Sequence, residues 1–113
     1  MIALKRYINN LFNDFEIDSA CEECILIDMP DNNIYEGGCI GFNFDMKSIN
    51  GDIPVLFCDS DRVIKYFKNN KIFINDTHKH FETLHLHFDL NLTKENIDKM
   101  YYMFFDLREI ILK

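Results

Sequence analysis

The chain has 113 residues, of which 48% are hydrophobic and 27% charged, and its formal net charge is −7. This is the composition of one globular domain over residues 1–113, and it argues against a disordered chain and against a second domain of ordinary size. The acidity excludes a non-specific nucleic-acid binder, because contact with phosphates requires a positive field.

The first half of the chain predicts one helix followed by three strands. Residues 3–15 place apolar side chains at the i, i+3, i+4, i+7 spacing of an amphipathic helix. A short apolar run over 24–29 predicts a buried strand, and 34–45 predict a return strand. After a polar loop expected over 46–52, residues 53–58 predict a third strand.

The middle of the chain predicts a helix and a short strand. Asp59 or Ser60 can cap a helix that runs to about Lys68, because small polar side chains accept hydrogen bonds from the first free backbone N–H groups. Residues 71–75 are strand-like.

The strand predicted over 81–90 shows the clearest alternation, with one apolar and one polar face. Thr93 is expected to cap a final helix that runs to about Leu112. The order α-β-β-β-α-β-β-α predicts a two-layer α+β domain, with three helices against a mixed or mostly antiparallel sheet of about five strands. A three-layer arrangement is the alternative.

Acidic residues are concentrated in the first part of the chain, where residues 13–61 contain twelve acidic residues and one basic residue. Crowded carboxylates repel one another, so they suggest a negative surface that receives a basic protein partner. The alternative is a solvated surface that only confers solubility. The residues expected to bind the partner lie mostly in predicted loops, turns and strand ends. They are Asp28, Asp31, Tyr35, Glu36, Asp45, Asp52, Asp59 and Asp61.

The four histidines form two His-x-His pairs, His78 with His80 and His85 with His87. In a strand, His85 and His87 project from the same face as Asp89. Imidazole and carboxylate are zinc ligands, so these five residues predict, as an alternative function, a small zinc-binding protein or metal-dependent enzyme. The other interpretations are a plain polar strand face and a pH-sensitive patch.

The four cysteines are expected to be reduced, and Cys24, Cys39 and Cys58, which lie in or beside apolar runs, are expected to be structural. The start of the chain lacks the pattern of an export signal, and no segment approaches the ~18–20 uninterrupted apolar residues of a membrane helix, so we expect a cytoplasmic protein. Cys21 and Cys24 have C-x-x-C spacing, for which redox or zinc chemistry is the alternative. No nucleophile set or phosphate-binding loop can be nominated. We therefore expect neither catalysis nor a cofactor.

In its size, its acidity, its single domain and its 15 isoleucine and 12 asparagine residues, typical of an AT-rich gene, the chain resembles bacterial immunity proteins. These belong to contact-dependent growth inhibition and related polymorphic toxin systems. The resemblance implies a small cytosolic protein that neutralises a basic toxin, often a nuclease, by occluding its surface. A structural homo-oligomer that uses an unpaired sheet edge is a further alternative.

Overall fold

The computed structural model describes residues 2–18, 23–28 and 38–112. Within these residues the chain forms three helices and six strands. The helices are α1 (Ile2–Leu11), α2 (Phe57–Asn69) and α3 (Lys94–Leu112). The strands are β1 (Ile17–Asp18), β2 (Cys24–Asp28), β3 (Cys39–Asn43), β4 (Ser48–Leu56), β5 (Ile74–His80) and β6 (Thr83–Asn91).

The strands form one sheet in the order β1-β2-β3-β4-β6-β5, and all five pairings are antiparallel. The predicted α+β fold, with helices against an antiparallel sheet, is confirmed. The two-residue β1 is an addition that the sequence pattern did not indicate. None of the described helices is long and apolar enough to cross a membrane.

The core lies between the helices and one face of the sheet. Phe12, just after α1, packs its ring against Phe42 of β3 and against Tyr101 and Phe104 of α3. These aromatic contacts join the first helix, the sheet and the last helix into one apolar layer. The predicted cap of α3 is confirmed, since the backbone N–H of Asn96 donates to Thr93 Oγ1 at 3.1 Å.

Two predicted boundaries in the middle of the chain are wrong. The loop expected over 46–52 is short, because β4 begins at Ser48 and alternates Ile49 and Gly51 inward with polar residues outward. The outward face of this strand is polar, and a segment rich in polar residues has the composition of a loop, which is why the sequence predicted one. The cap predicted at Asp59 or Ser60 is also wrong, because β4 runs directly into α2 and no side chain caps that helix.

The edge strand β5 differs most from the prediction. It spans Ile74–His80 rather than 71–75, and every residue in it except Ile74 is exposed. An edge strand that extends beyond the helices carries no apolar alternation, so its residues gave no strand signal. The first helix is also shorter than predicted. It ends at Leu11, and the chain then turns through the exposed Asn13 and Asp14.

Candidate functional site

The side of the sheet opposite the helices, called here the open face, carries polar side chains. In β6, Leu86 and Phe88 are buried toward the helices, whereas His85, His87 and Asp89 project the other way. The apolar and polar faces predicted for this strand are therefore confirmed. The open face continues across β2, β3, β4 and β5 through the antiparallel register.

Five residues of the open face stand in one line across five strands. Asp28 pairs with Cys39, Cys39 with Asp52, Asp52 with His87, and His87 with Asp76. We call this line the acidic row. With strands ~4.8 Å apart, its three carboxylates follow one another at roughly 10 Å and span roughly 19 Å.

The pKa of the Cys39 thiol is affected by the negative charge of the acidic row. Burial raises the pKa of the Cys39 thiol, and the nearby carboxylates of Asp52 and Asp28 raise it further. A thiol held in its protonated form is a poor nucleophile. The position of Cys39 therefore argues against cysteine chemistry at this surface. Of the C-x-x-C pair, Cys24 lies in β2 and Cys21 lies outside the described residues.

Charge is divided between the two layers. The sequences of the six strands contain five aspartates and one lysine. That lysine, Lys79, pairs with Leu84 and lies 5.3 Å from the centre of the Phe57 ring, on the helix side of the sheet. Among the described strand residues, then, no lysine or arginine projects from the open face. The three helices contain eight lysine and arginine residues against six acidic residues.

Three of the four histidines form a hydrogen-bonded stack beside the acidic row. The rings of His78 and His85 stack with centres 4.5 Å apart, and His87 Nε2 lies 2.9 Å from His78 Nδ1. His85 Nδ1 lies 3.0 Å from Asp52 Oδ1. The contact between His78 and His87 needs one of the two facing nitrogens to carry no proton, since a hydrogen bond joins one donor to one acceptor.

A second polar network covers the neighbouring positions. The side-chain amide of Asn43 donates to Asn50 Oδ1, and the amide of Asn50 donates to Asp89 Oδ1. The amide of Asn75 donates to Asp89 Oδ2. The Asp89 carboxylate is thus held by two amides, which fixes its direction on the open face.

The five predicted zinc ligands are not placed around one metal position. His78 and His87 bond to each other, His85 to Asp52, and Asp89 to amides, whereas the exposed His80 lies with its ring 4.6 Å from that of Phe81. Over residues 2–18, 23–28 and 38–112, no three histidine, cysteine, aspartate or glutamate side chains are placed to hold a metal ion. The zinc alternative gains no support from this geometry.

The predicted partner-binding residues separate into four groups. Asp28 and Asp52 lie on the open face, whereas Asp45 is exposed in the turn after β3 and Asp61 on α2. Asp59 is only 7% exposed and pairs with Arg62, so it offers little to a partner. Asp31, Tyr35 and Glu36 lie outside the described residues.

Sequence reasoning missed Asp76 as a binding residue and treated Asp89 only as a metal ligand. Both stand on the open face, and Asp76 completes the acidic row. The usable signal was the alternation of Asp76 with His78 and His80, which places all three on one side of a strand.

No protein-family model, curated protein or solved structure matches the chain.

Proposed function

We propose that this chain is an immunity protein that neutralises a basic toxin, of nuclease type, by covering the toxin's substrate-binding surface with its open face. The observation that carries the proposal is the open face itself, with carboxylates from four strands and no lysine or arginine among its described residues. A surface that binds nucleic acid is rich in lysine and arginine, so the two are complementary.

The spacing of the acidic row suits a partner with several separate cations. Its carboxylates stand roughly 10 Å apart, which is slightly more than the ~8 Å screening length at physiological salt. Each carboxylate therefore attracts its own cation with little competition from the next. Such complementary fields raise the association rate and fix orientation more than they add affinity.

The open face also offers an apolar contact. Leu26 of β2 is 41% exposed and lies over Gly41 of β3, where the glycine leaves space for its side chain. Protein interfaces commonly combine an apolar centre with a polar surround. Leu26, directly beside the acidic row, supplies such a centre. Occlusion of this kind requires no catalytic side chain in the inhibitor.

The test is protection of growing cells by matched charge variants. The proposal expects a basic toxin to be encoded immediately upstream of this chain, and co-expression of the chain to relieve the growth arrest that the toxin causes. Asp28→Lys replaces one negative charge of the acidic row by a positive charge, and Asp52→Asn removes a second negative charge. The two substitutions together should abolish protection. The control, Asp14→Lys with Glu109→Gln, changes net charge equally at exposed positions away from the row, and should protect like the wild type.

The same variants should separate in binding kinetics. At low salt we expect the acidic-row variant to associate with the purified toxin roughly tenfold more slowly than the control variant, and added salt should reduce the difference. Equal melting temperatures of the two variants would exclude unfolding as the cause. A row variant that protects cells as well as the control does would remove the open face from the interface and contradict the proposal.

A further inference from the structure

The outer side of β5 is a candidate surface for self-association. β5 ends the strand order, and no described strand pairs with its outer side. Two large apolar side chains flank it, Phe73 at 76% exposure and Phe81 at 90% exposure. The opposite edge is only the two-residue β1. An unpaired edge strand is a template for pairing with another chain, and burial of these two rings would add to such a pairing.

We propose that two copies of this chain pair antiparallel through β5, about a twofold axis at Thr77. In this register Thr77 lies opposite Thr77 of the second copy, and Asp76 lies opposite His78 of the second copy. Beyond the two ends of β5, Phe73 comes near Phe81 of the second copy. The strand is thus complementary to itself, as a twofold interface requires.

The backbone of β5 can form this pairing. The turn at Phe81 and Glu82 closes the hairpin, with His80 opposite Thr83. In such a turn the first carbonyl accepts a hydrogen bond from the fourth N–H, so His80 faces β6. Because antiparallel strands alternate the direction of their backbone groups, we expect the N–H and C=O of Thr77 to point to the free edge. In the single chain the N–H of Thr77 donates to Asp76 Oδ1 at 2.9 Å, so it does not bond to β6. Pairing replaces this contact, and two Thr77 residues can then exchange both hydrogen bonds across the axis.

The charges of β5 also match in this register. Each Asp76 carboxylate meets a His78 imidazole of the second copy, and the twofold axis repeats the contact. Lys79 lies opposite Asn75 of the second copy, so no like charges stand directly opposite each other. The β-bulge near Asn75 lies at the end of the strand and leaves the central three pairs regular.

A groove lies next to β5, at the position that the Phe81 ring of the second copy would occupy in the dimer. It has a volume of about 390 Å³, and its apolar lining comes from Ile64, Ile72, Phe73 and Ile74. The groove opens on the helix side of the sheet. Phe81 lies next to Leu56 and Phe57, also on the helix side. In the paired sheet, Phe81 of each copy would therefore lie over the groove of the other.

The first experiment measures the mass of the untagged full chain by light scattering over a wide range of concentrations. We expect a species of twice the 13.5 kDa chain mass. Phe81→Asn should raise the dimer dissociation constant at least ~10-fold, while asparagine suits the positive φ at this position. Met46→Ser, which removes a side chain 76% exposed in a distant turn, is the control and should leave the dimer intact. A monomer at every concentration, or equal dimers in both variants, would overturn the proposal.

The second experiment tests the register. In a dimer of the Asp76→Lys variant, each new lysine lies opposite His78 of the other copy. In a dimer of the His78→Asp variant, each new aspartate lies opposite Asp76 of the other copy. Each variant should therefore dimerise less than the wild type. In a mixture of the two variant chains, the new lysine of one lies opposite the new aspartate of the other, and the wild-type pairing of Asp76 with His78 is kept at the second position. We expect native mass spectrometry to show mainly the mixed dimer. Mixing that yields no mixed dimer, with both variants folded by circular dichroism, would refute this register.

Discussion

Gly51 gives the sharpest test of how the core is packed. It lies in β4 directly opposite Phe88 of β6. A Cβ atom added at Gly51 would stand 2.1 Å from Cζ and 2.4 Å from Cε1 of the Phe88 ring. That ring is buried and packs edge-on against Phe67, with ring centres 5.4 Å apart. Because the ring is buried, any shift of it disturbs the neighbours it packs against, so Gly51→Ala must strain the core.

The expected cost follows from two opposing effects. Overpacking a core usually costs ~1–3 kcal/mol. Replacing glycine by alanine also restricts the unfolded chain, which offsets ~0.4–1 kcal/mol. We therefore expect Gly51→Ala to lower the free energy of unfolding by about 1–2 kcal/mol and the melting temperature by roughly 5–10 °C.

The matched control is Gly41→Ala in β3. There the added Cβ would stand 3.1 Å from Leu26 Cδ2 and 4.0 Å from Asn43 Nδ2. The first contact is the close one, and Leu26 is exposed enough to move aside. We expect a change within ~0.5 kcal/mol, measured by urea unfolding with circular dichroism. Equal stabilities of the two variants would refute the packing argument. So would a Phe88→Leu background in which Gly51→Ala costs as much as in the wild type, since the smaller side chain relieves the clash.

Two further predictions concern ionisable groups. Burial and the hydrogen bond to Asp106 raise the pKa of Tyr66 above its ordinary value of 10.0, so the folded state holds this proton more tightly than the unfolded state. The resulting stability is complete below about pH 10 and is lost as pH rises further, and Tyr66→Phe should reduce that alkaline loss in urea unfolding at increasing pH. The raised pKa of Cys39 predicts that iodoacetamide alkylates it several-fold more slowly than the exposed Cys58. Asp52→Asn should accelerate alkylation of Cys39 and leave that of Cys58 unchanged; equal acceleration at both thiols would mean that general loosening, not charge, is responsible.

The elements that could be predicted well from the sequence are those marked by a local residue pattern. The alternation over 81–90 predicted which side of β6 is buried, and Thr93 marked the start of α3 correctly. In both cases a local pattern directly encodes contact with the core. β5 has no such pattern, because an edge strand outside the helix layer buries almost nothing.

The candidate site could be predicted only in part. Asp28 and Asp52 stood out as acids, but the acidic row exists because register aligns residues from five strands, and no local pattern encodes that alignment. Asp76 was missed because it lies beyond the strand expected over 71–75, whereas β5 extends to His80. Asp59 was selected for its charge, although an earlier helix start places it in the first turn of α2 against Arg62.

The division of charge between the two layers has a consequence at distances beyond contact. Aspartates predominate in the strands and basic residues in the helices, so these described elements contribute an electric dipole along the normal of the sheet, in addition to the net charge of the chain. In the field of a cationic protein, such a dipole experiences a torque that turns the sheet forward and the helices away. A larger fraction of collisions would then begin in the correct orientation than net charge alone would give.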